Sequence, residues 1–161
     1  MGRAAGRGLV LRPMQEADLR HVLHIERRSF TIPWSDATFR GLLRRRSTAL
    51  LVAEQAGEVV GYAVLWFAAD EAELGDMAVL PEERRRGLGR RLLDGALTEA
   101  TRRGAKRLYL EVRESNTAAR SLYRRAGFEA VGRRSDYYSE PTEDAILMMR
   151  RLESEDTARP R

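Results

Sequence analysis

A basic turn that contains two glycines is the first stretch whose residue types suggest chemistry. It reads Arg84-x-x-Gly87-x-Gly89, and an apolar stripe at helical spacing follows it. The glycines therefore stand where a helix begins, where the first backbone N–H groups lack acceptors and the dipole is positive. Glycine leaves those groups open to a phosphate. An ordinary turn and a solvated arginine surface are the alternatives, and spacing alone does not separate the three.

A carboxylate and a phenol form a second chemical pair. Glu111 lies within a strand-like run, and Tyr123 lies on the helix predicted after it. Asn116 precedes Tyr123 by two helical turns, so both are expected on one side of that helix. A carboxylate and a phenol beside a phosphate site could act as general base and general acid. In the alternative interpretation, the tyrosine belongs to the core and the glutamate faces water.

The elements that must position these groups follow one another along the chain. A strand over 71–79 leads into the glycine turn, and the helix after it stops at Gly104. A compact strand over 107–112 carries Glu111, and a helix over 116–126 carries Tyr123. The apolar stripe of the long helix consists of Leu88, Leu92, Leu93, Ala96, Leu97 and Ala100.

The N-terminal half predicts a strand over 9–13, two helices and two further strands. The second helix has Ser35 as its N-cap, with Trp34 and Phe39 at the positions of a hydrophobic staple. The strands cover 48–55 and 58–68, and the second is apolar on both faces, which is typical of a central strand. The buried side of the first helix, which starts at Asp18, is assigned to Leu19, Val22, Leu23 and Phe30.

The C-terminal part predicts two closing strands, over 128–134 and 145–152, joined by a loop through Tyr137, Tyr138 and Pro141. The order β-α-α-β-β-β-α-β-α-β-β favours an α+β sandwich around one sheet. We expect one domain over 9–152, a flexible extension at 1–8 and a flexible tail at 153–161.

Composition argues against several classes of function. The chain has 161 residues, 43% of them hydrophobic, which is enough for one domain with a core. Cysteine is absent, which removes thiolate metal sites and a cysteine acyl-enzyme and fits a cytoplasmic protein. No run approaches the ~20 apolar residues that cross a bilayer, so no membrane partner is expected. His21 and His24 lie three apart without an evident third ligand, and no metal is expected.

The positive charge does not by itself predict nucleic-acid binding. The net charge is +5, but every basic residue except Lys106 is arginine, and the 29 basic residues are interleaved with 24 acids. A clustered basic face and a binding motif are both missing, which disfavours a nucleic-acid partner.

Five separated motifs resemble the GNAT N-acetyltransferases. Met77-Ala78-Val79, followed by the arginine–glycine turn, resembles the acetyl-coenzyme A (acetyl-CoA) signature of that family. The run from Leu110 to Phe128 resembles the C-terminal motif of its RimI-type branch, whose members acetylate the N-terminal alanine of the eighteenth small-subunit ribosomal protein. The remaining matches to that branch are Ile32-Pro33-Trp34-Ser35, Asp70-Glu71-Ala72, and Tyr137-Tyr138 followed by Glu143-Asp144-Ala145.

The resemblance implies the GNAT (acyl-CoA N-acyltransferase) fold, in which a mixed, mostly antiparallel sheet is flanked by about four helices. It implies direct acetyl transfer from acetyl-CoA, with Glu111 as proton acceptor and Tyr123 as proton donor. The cofactor-binding residues that it implies are Met77, Ala78, Val79, Arg84, Arg85, Arg86, Gly87, Leu88, Gly89, Arg90 and Asn116.

The same resemblance implies that the acceptor is the N-terminal peptide of a ribosomal protein. The acceptor-binding residues that it implies are Trp34, Tyr137 and Tyr138, and the acids Asp70 and Glu71 are further candidates because they could attract a basic peptide. Asp70 and Glu71, together with Glu73 and Asp76, form either a lining for a basic peptide or a solvated acidic edge. Two departures bear on peptide selectivity: Ile32 replaces a common aromatic, and 133–136 holds one residue more than the shorter form of the branch.

Other functions stay open at this point. A GNAT enzyme could acetylate a small amine or a protein lysine, although Trp34 and the tyrosine pair weigh against a small amine. From another class, the chain could be a basic nucleic-acid-binding module, which would bind in a salt-sensitive way and gain no heat stability from coenzyme A. The sequence leaves the oligomeric state open.

Overall fold

A computed structural model describes residues 8–153 as seven strands and four helices around one sheet. The predicted extension and tail lie outside these residues, apart from Gly8 and Glu153. None of the described helices has the length and apolar character needed to span a bilayer. The elements in chain order are β1 (Leu9–Pro13), α1 (Leu19–Ser29), α2 (Asp36–Leu43), β2 (Thr48–Gln55), β3 (Glu58–Ala68), β4 (Glu71–Val79), α3 (Leu88–Arg102), β5 (Arg107–Arg113), α4 (Thr117–Arg125), β6 (Glu129–Tyr138) and β7 (Glu143–Arg151).

The strands form one mixed sheet in the order β1-β2-β3-β4-β5-β7-β6. Strands β4 and β5 are parallel, and the other five neighbouring pairs are antiparallel. A parallel pair needs a crossover between its strands, and α3 supplies it. The predicted α+β class, the element order and the mostly antiparallel sheet with four helices are therefore confirmed.

Two apolar cores lie on opposite faces of the sheet. One contains the buried stripe of α3, and the other contains the buried sides of α1 and α2. Strand β3 contributes to both, since Ala63 and Leu65 belong to the first core whereas Tyr62 and Val64 belong to the second. The prediction of a central strand covered on both faces is confirmed, as is the predicted stripe of α3.

The start of α2 follows from its local sequence. Ser35 Oγ accepts a hydrogen bond from the Thr38 N–H at 3.2 Å, which satisfies one free donor of the first turn. The Trp34 and Phe39 rings lie 5.5 Å apart, so the predicted staple forms. It fixes the direction in which the loop after α1 enters the helix, and this loop borders the candidate site.

Two local predictions were wrong. Phe30 is not on the buried side of α1: it follows the helix with extended backbone and is 38% exposed. Tyr137 and Tyr138 are not in a loop but at the end of β6, where Tyr137 lies within a bulge in the pairing with β7 and Tyr138 pairs with Glu143. The bulge contains Asp136, whose φ is +53° and whose N–H donates to Asp144 Oδ1 at 2.9 Å. A nonlocal carboxylate thus holds a polar segment that local sequence alone presents as a loop.

Candidate active site

The parallel strands β4 and β5 separate partway along their length. Their pairing runs from Glu71 opposite Arg107 to Leu74 opposite Leu110 and then stops, whereas β4 stays paired with β3 up to Val79. Beyond Leu74, the described part of the chain gives β4 no strand partner on the β5 side. The predicted pantetheine-binding residues Met77, Ala78 and Val79 lie along this opening, where an extended ligand can add to the strand edge.

A bulge at Gly75 precedes the opening. In the pairing of β3 with β4, Val64 faces Asp76 and Leu65 faces Leu74, so Gly75 has no opposite residue. The Trp66 ring covers Gly75 so closely that any Cβ there would overlap it. The bulge shifts the alternation of β4, which turns the side chain of Asp76 toward the core of α1 and α2.

The glycine turn ends at the start of α3, as predicted. Gly87 caps the helix with φ +79°, and the first intrahelical bond runs from the Arg91 N–H to the Gly87 carbonyl. The N–H groups of Leu88, Gly89 and Arg90 therefore precede the helical ladder and can receive an anion. A Cβ at Gly87 would meet no atom within 4 Å, so the approach is open.

The arginines of this turn differ in their contacts. Arg84 donates from Nε to the Val79 carbonyl and from Nη2 to Ser29 Oγ, each at 3.2 Å, and so ties the turn to β4 and α1. Arg86 pairs with Glu83 at 3.1 Å, and Arg90 pairs with Asp94 at 3.0 Å. These exposed pairs are weak and can be exchanged for a ligand phosphate. Arg84 fits a role in shaping the turn, whereas Arg86 and Arg90 are available to an anion.

Glu111 faces away from the core that contains α3. Its neighbours Leu110 and Val112 belong to that core, and the alternation of β5 places Glu111 on the opposite face of the sheet. Its side chain is 11% exposed and forms an ion pair with Arg134 at 2.9 Å. The Tyr137 hydroxyl also donates to this carboxylate, and that bond, together with burial, raises the pKa of Tyr137 to about 12. The bulge of β6 places both partners over Glu111.

Tyr123 approaches the opening from α4. Its ring packs edge-on against Phe128 at 5.8 Å. Burial, assisted by the charge of Asp76, raises the pKa of Tyr123 to about 12, so its hydroxyl keeps its proton at neutral pH. Burial also raises the pKa of Tyr138, to which the charge of Glu111 and, more weakly, Tyr123 contribute. Tyr138 thus lies within electrostatic reach of both the carboxylate and the phenol.

Asn116 lies just before α4 and not in its first turn, because the helix begins one residue later than predicted. It precedes α4 as the N-cap, where Oδ1 accepts from the Ala119 N–H at 3.1 Å. Its backbone is not helical, so the seven-residue spacing does not fix its direction relative to Tyr123. Capping engages the carbonyl oxygen of the amide, and the side chain is otherwise exposed beside the start of α4.

A cavity of about 280 Å³ opens on the face of the sheet that carries Glu111. Glu71 and Glu73 line it, and Glu73 accepts a hydrogen bond from Trp66 Nε1 at 2.8 Å. Trp34 stacks on Trp66 with ring centroids 6.1 Å apart, which connects the loop after α1 with this cavity. Asp70 does not line the cavity; it lies 3.9 Å from Lys106, and the two form an exposed ion pair.

One cluster beside the site was missed by sequence reasoning. Asp76, placed above on an acidic edge, is 9% exposed, and Glu26 is 2% exposed. Glu26 accepts from the Trp34 N–H at 3.0 Å and from the Tyr62 hydroxyl, and its carboxyl bonds that of Asp76. Burial and the neighbouring Glu26 raise the pKa of Asp76 to about 9. A glycine just before an acid in an apolar strand was the available signal, since such a glycine indicates a bulge.

Asp76→Asn is expected to stabilise the protein in a pH-dependent way. Asp76 keeps its proton to about pH 9 when folded but has an ordinary pKa of 3.8 when unfolded. The folded state therefore binds more protons between these values, and stability falls as pH rises through that window. Asparagine removes this loss, so Tm at pH 8 should rise by about 2–4 °C per kcal/mol regained. Thermal melts at pH 5 and pH 8 measure it; an equal Tm difference at both would contradict the buried protonated carboxyl.

The sequence that forms this site matches a family of known proteins. Residues 19–128 match the family model described as "Acetyltransferase (GNAT) family". A Bacillus subtilis protein named "Putative [ribosomal protein bS18]-alanine N-acetyltransferase" is 38% identical over 86% of this chain and 92% of its own length. An Escherichia coli (strain K12) protein named "[Ribosomal protein bS18]-alanine N-acetyltransferase" is 39% identical over 84% of this chain and 92% of its own length.

The fold agrees with a solved structure of the same kind. The crystal structure of the ribosomal-protein-S18-alanine N-acetyltransferase from Escherichia coli superimposes with a TM-score of 0.85 and 34% identity. The match covers 95% of this chain and 99% of the other. The predicted GNAT fold is thereby confirmed.

Proposed function

Because the chain belongs to the acetyltransferase (GNAT) family, we propose that it acetylates the α-amino group of an N-terminal alanine on a ribosomal protein of the bS18 type. As a member of that family it is an acetyl-CoA-dependent N-acetyltransferase. The observation that carries the choice of acceptor is the 38–39% identity to enzymes of that name over 84–86% of the chain. Such an acceptor would place the enzyme in the cytoplasm.

The opening between β4 and β5 offers acetyl-CoA the edge of a strand, and the glycine turn offers it a helix N-terminus. The edge of β4 over Met77–Val79 can bond the amide groups of an extended pantetheine arm, as an added strand would. The amides of Leu88, Gly89 and Arg90 at the start of α3 fit the pyrophosphate, and Arg85, Arg86 and Arg90 add positive charge around them. Backbone N–H groups of β4 near the thioester carbonyl can stabilise the negative charge that develops on its oxygen.

Glu111 prepares the acceptor. An α-amino group has a pKa near ~7.7–8.0 and is largely protonated at neutral pH. Glu111 takes one proton from that ammonium group, directly or through a water, and releases it to solvent. To do so it must exchange its ion pair with Arg134 for the incoming cation, which carries the same charge. The acceptor nitrogen, now neutral, attacks the thioester carbonyl carbon.

Tyr123 completes the transfer. As the carbon–sulfur bond breaks, its hydroxyl gives a proton to the departing thiolate. The nitrogen loses its second proton on becoming an amide, and that proton restores Tyr123. The overall release is one proton, the one first taken by Glu111. With no cysteine in the chain, an acetyl-thioenzyme is not available, which supports single displacement within a ternary complex.

The cavity beside Glu111 supports a cationic peptide as acceptor. Its two further carboxylates are Glu73 and Glu71, which pairs with Arg107 at 2.9 Å, and both favour positive charge in the cavity. Trp66 gives the cavity an apolar wall, and Trp34 stacks on Trp66. Tyr137 and Tyr138, from β6, border the carboxylate of Glu111. An α-amine is also the easier nucleophile, because lysine has a pKa of about 10.4.

Removal of two arginines should test the phosphate site. The double variant Arg85→Ala, Arg86→Ala should raise the Kd of acetyl-CoA about tenfold, since each charge-assisted hydrogen bond lost costs about 1.5–3 kcal/mol and other groups compensate in part. Isothermal titration calorimetry measures the Kd. Arg44→Ala with Arg45→Ala is the matched control: both arginines are exposed and precede β2, which begins opposite Trp66 at the far end of β4 from the glycine turn. Equal affinity in the two double variants would refute the phosphate site.

The choice of acceptor is tested with a peptide panel. Peptides of one sequence that begin with Ala, Ser, Gly or Met are incubated with acetyl-CoA and the enzyme, and acetylation is followed by mass spectrometry. We expect the highest kcat/KM for the alanine peptide. A free polyamine or an α-blocked lysine peptide that outperforms it would show that the acceptor is a small amine or a lysine.

A further inference from the structure

We propose that Glu26 and Asp76 share one proton and act as a positioning pair that holds the acceptor-binding loop after α1 against the open end of β4. This role rests on the proposed function, because the loop matters only if it borders the acceptor. Neither residue contacts the reacting atoms directly, and their effect passes through Trp34 on one side and Met77 on the other.

Glu26 is the centre of the contacts. It projects from α1 and accepts the Trp34 N–H through Oε1 at 3.0 Å, which secures the backbone of the loop. Its other oxygen accepts the hydroxyl of Tyr62, which is fully buried on β3. Asp76 bonds the same carboxyl from β4. One buried side chain therefore joins the loop, β3 and the β4 segment that borders the acetyl-CoA opening.

The hydrogen-bond inventory requires a proton between the two carboxyl groups. Two buried carboxylates in contact would repel, and burial would oppose both charges. Asp76 Oδ2 is buried and, among residues 8–153, no N–H or O–H group satisfies it. A proton on Asp76 that is donated to Glu26 removes the repulsion between the two carboxylates. It also gives the unsatisfied Asp76 oxygen a hydrogen-bond partner. The pair then carries one negative charge, which Tyr62 and the Trp34 N–H stabilise.

The location of the pair points to positioning rather than to folding alone. Asp76 is followed directly by Met77–Val79, which lie along the opening between β4 and β5. Trp34 stacks on Trp66, which covers the bulge at Gly75 and bonds Glu73 in the cavity wall. The pair thus fixes the acceptor wall relative to the strand that presents the thioester. A buried acid pair costs stability, and positioning is the role that we assign to this cost here.

Loss of the shared proton should release the loop. When Asp76 ionises, it repels Glu26, and the bond between α1 and β4 is lost. The titratable groups that act on Asp76 or sense its charge are Glu26 from α1, Tyr62 from β3 and Tyr123 from α4. The α3 side is lined by buried leucines and alanines, and Glu111 of the diverging β5 acts instead on Tyr137 and Tyr138.

The test compares the wild-type protein with Asp76→Asn from pH 7 to pH 10. Asparagine has the shape of the protonated acid and can donate to Glu26, but it cannot ionise. If only the protonated pair holds the loop, the KM for an alanine peptide should rise about tenfold more in the wild type, because about a tenth of the pairs keep their proton one unit above the pKa. The KM for acetyl-CoA should change much less than the KM for the peptide, because pairing with β3 holds the Met77–Val79 segment of β4 in place. The α-amine of the peptide and the tyrosines of the enzyme also titrate in this range, but they do so in both proteins, so their effects cancel in the comparison.

A second measurement does not require activity. Trp34 and Trp66 are the two tryptophans of the chain, so intrinsic fluorescence reports their stacking. The wild type should show a spectral transition near pH 9 that Asp76→Asn lacks. Identical pH profiles of peptide KM or of fluorescence in the two proteins would overturn the positioning pair. If neither protein acetylates the peptide at any pH while the fluorescence transition differs, the proposed function fails and the shared proton stands.

Discussion

Glu111→Gln is expected to lower kcat about a hundredfold or more and to leave the Kd of acetyl-CoA nearly unchanged. General-base catalysis contributes ~10²–10⁴-fold, and glutamine keeps the shape of the side chain but cannot accept the proton. Glu111 lines the 280 Å³ cavity proposed for the acceptor, with 11% of its side chain exposed, whereas the site proposed for acetyl-CoA follows β4 and the start of α3. Steady-state kinetics and calorimetric titration separate the two effects.

The control for this prediction is Arg134→Gln. Glu111→Gln removes the ion pair with Arg134 along with the base, so a loss of kcat could come from disordered β6 rather than from chemistry. Arg134→Gln removes the same ion pair and keeps the carboxylate. A far smaller loss of kcat in Arg134→Gln assigns the larger effect to proton removal. Equal losses in both variants would mean that Glu111 serves the structure of β6 and not catalysis.

Tyr123→Phe is expected to lower kcat by a similar factor, about a hundredfold, again with unchanged affinity for acetyl-CoA. The pKa of Tyr123 is raised to about 12, so the hydroxyl stays protonated throughout the working pH range and can donate to the thiolate. Phenylalanine retains the edge-on contact with Phe128 and removes only the donor. The loss should therefore persist up to pH 10 without a new ionisation.

Tyr109→Phe provides the matched comparison. It makes the same chemical change in Tyr109, which lies on β5 and lines the cavity proposed for the acceptor, whereas Tyr123 lies on α4. Its effect should fall on the KM for the peptide and be small on kcat. A wild-type kcat in Tyr123→Phe, or an equal loss in Tyr109→Phe, would remove Tyr123 from the role of general acid.

Much of the fold could be predicted because its signals are local. The apolar stripe of α3, the N-cap Ser35 and the staple of Trp34 with Phe39 each depend on residues within a few turns of one another. The two-sided apolar pattern of β3 likewise predicted its central position. The glycine turn before α3 was placed correctly for the same reason, although which of its amides and arginines hold a phosphate stays a prediction.

The parts that could not be predicted depend on contacts between distant residues. Asp136 forms a bulge because Asp144 accepts its N–H, and this bulge turns Arg134 and Tyr137 toward Glu111. Asp76 faces the core of α1 and α2, and not the core of α3 that Ala72 and Leu74 face, because the bulge at Gly75 changes the alternation of β4. Such shifts reverse the face of every later side chain in a strand, and no spacing rule along the sequence reveals them.

The most direct measurement locates the acetyl group on a single acceptor. A peptide with an N-terminal alanine and an internal lysine is incubated with acetyl-CoA and the enzyme, and tandem mass spectrometry assigns the modified nitrogen. We predict one acetyl group, on the α-nitrogen of alanine, in the wild type and a strongly reduced amount with Glu111→Gln. Acetylation of the lysine alone, or an unmodified peptide with the wild-type enzyme, would contradict N-terminal acetyl transfer by this protein.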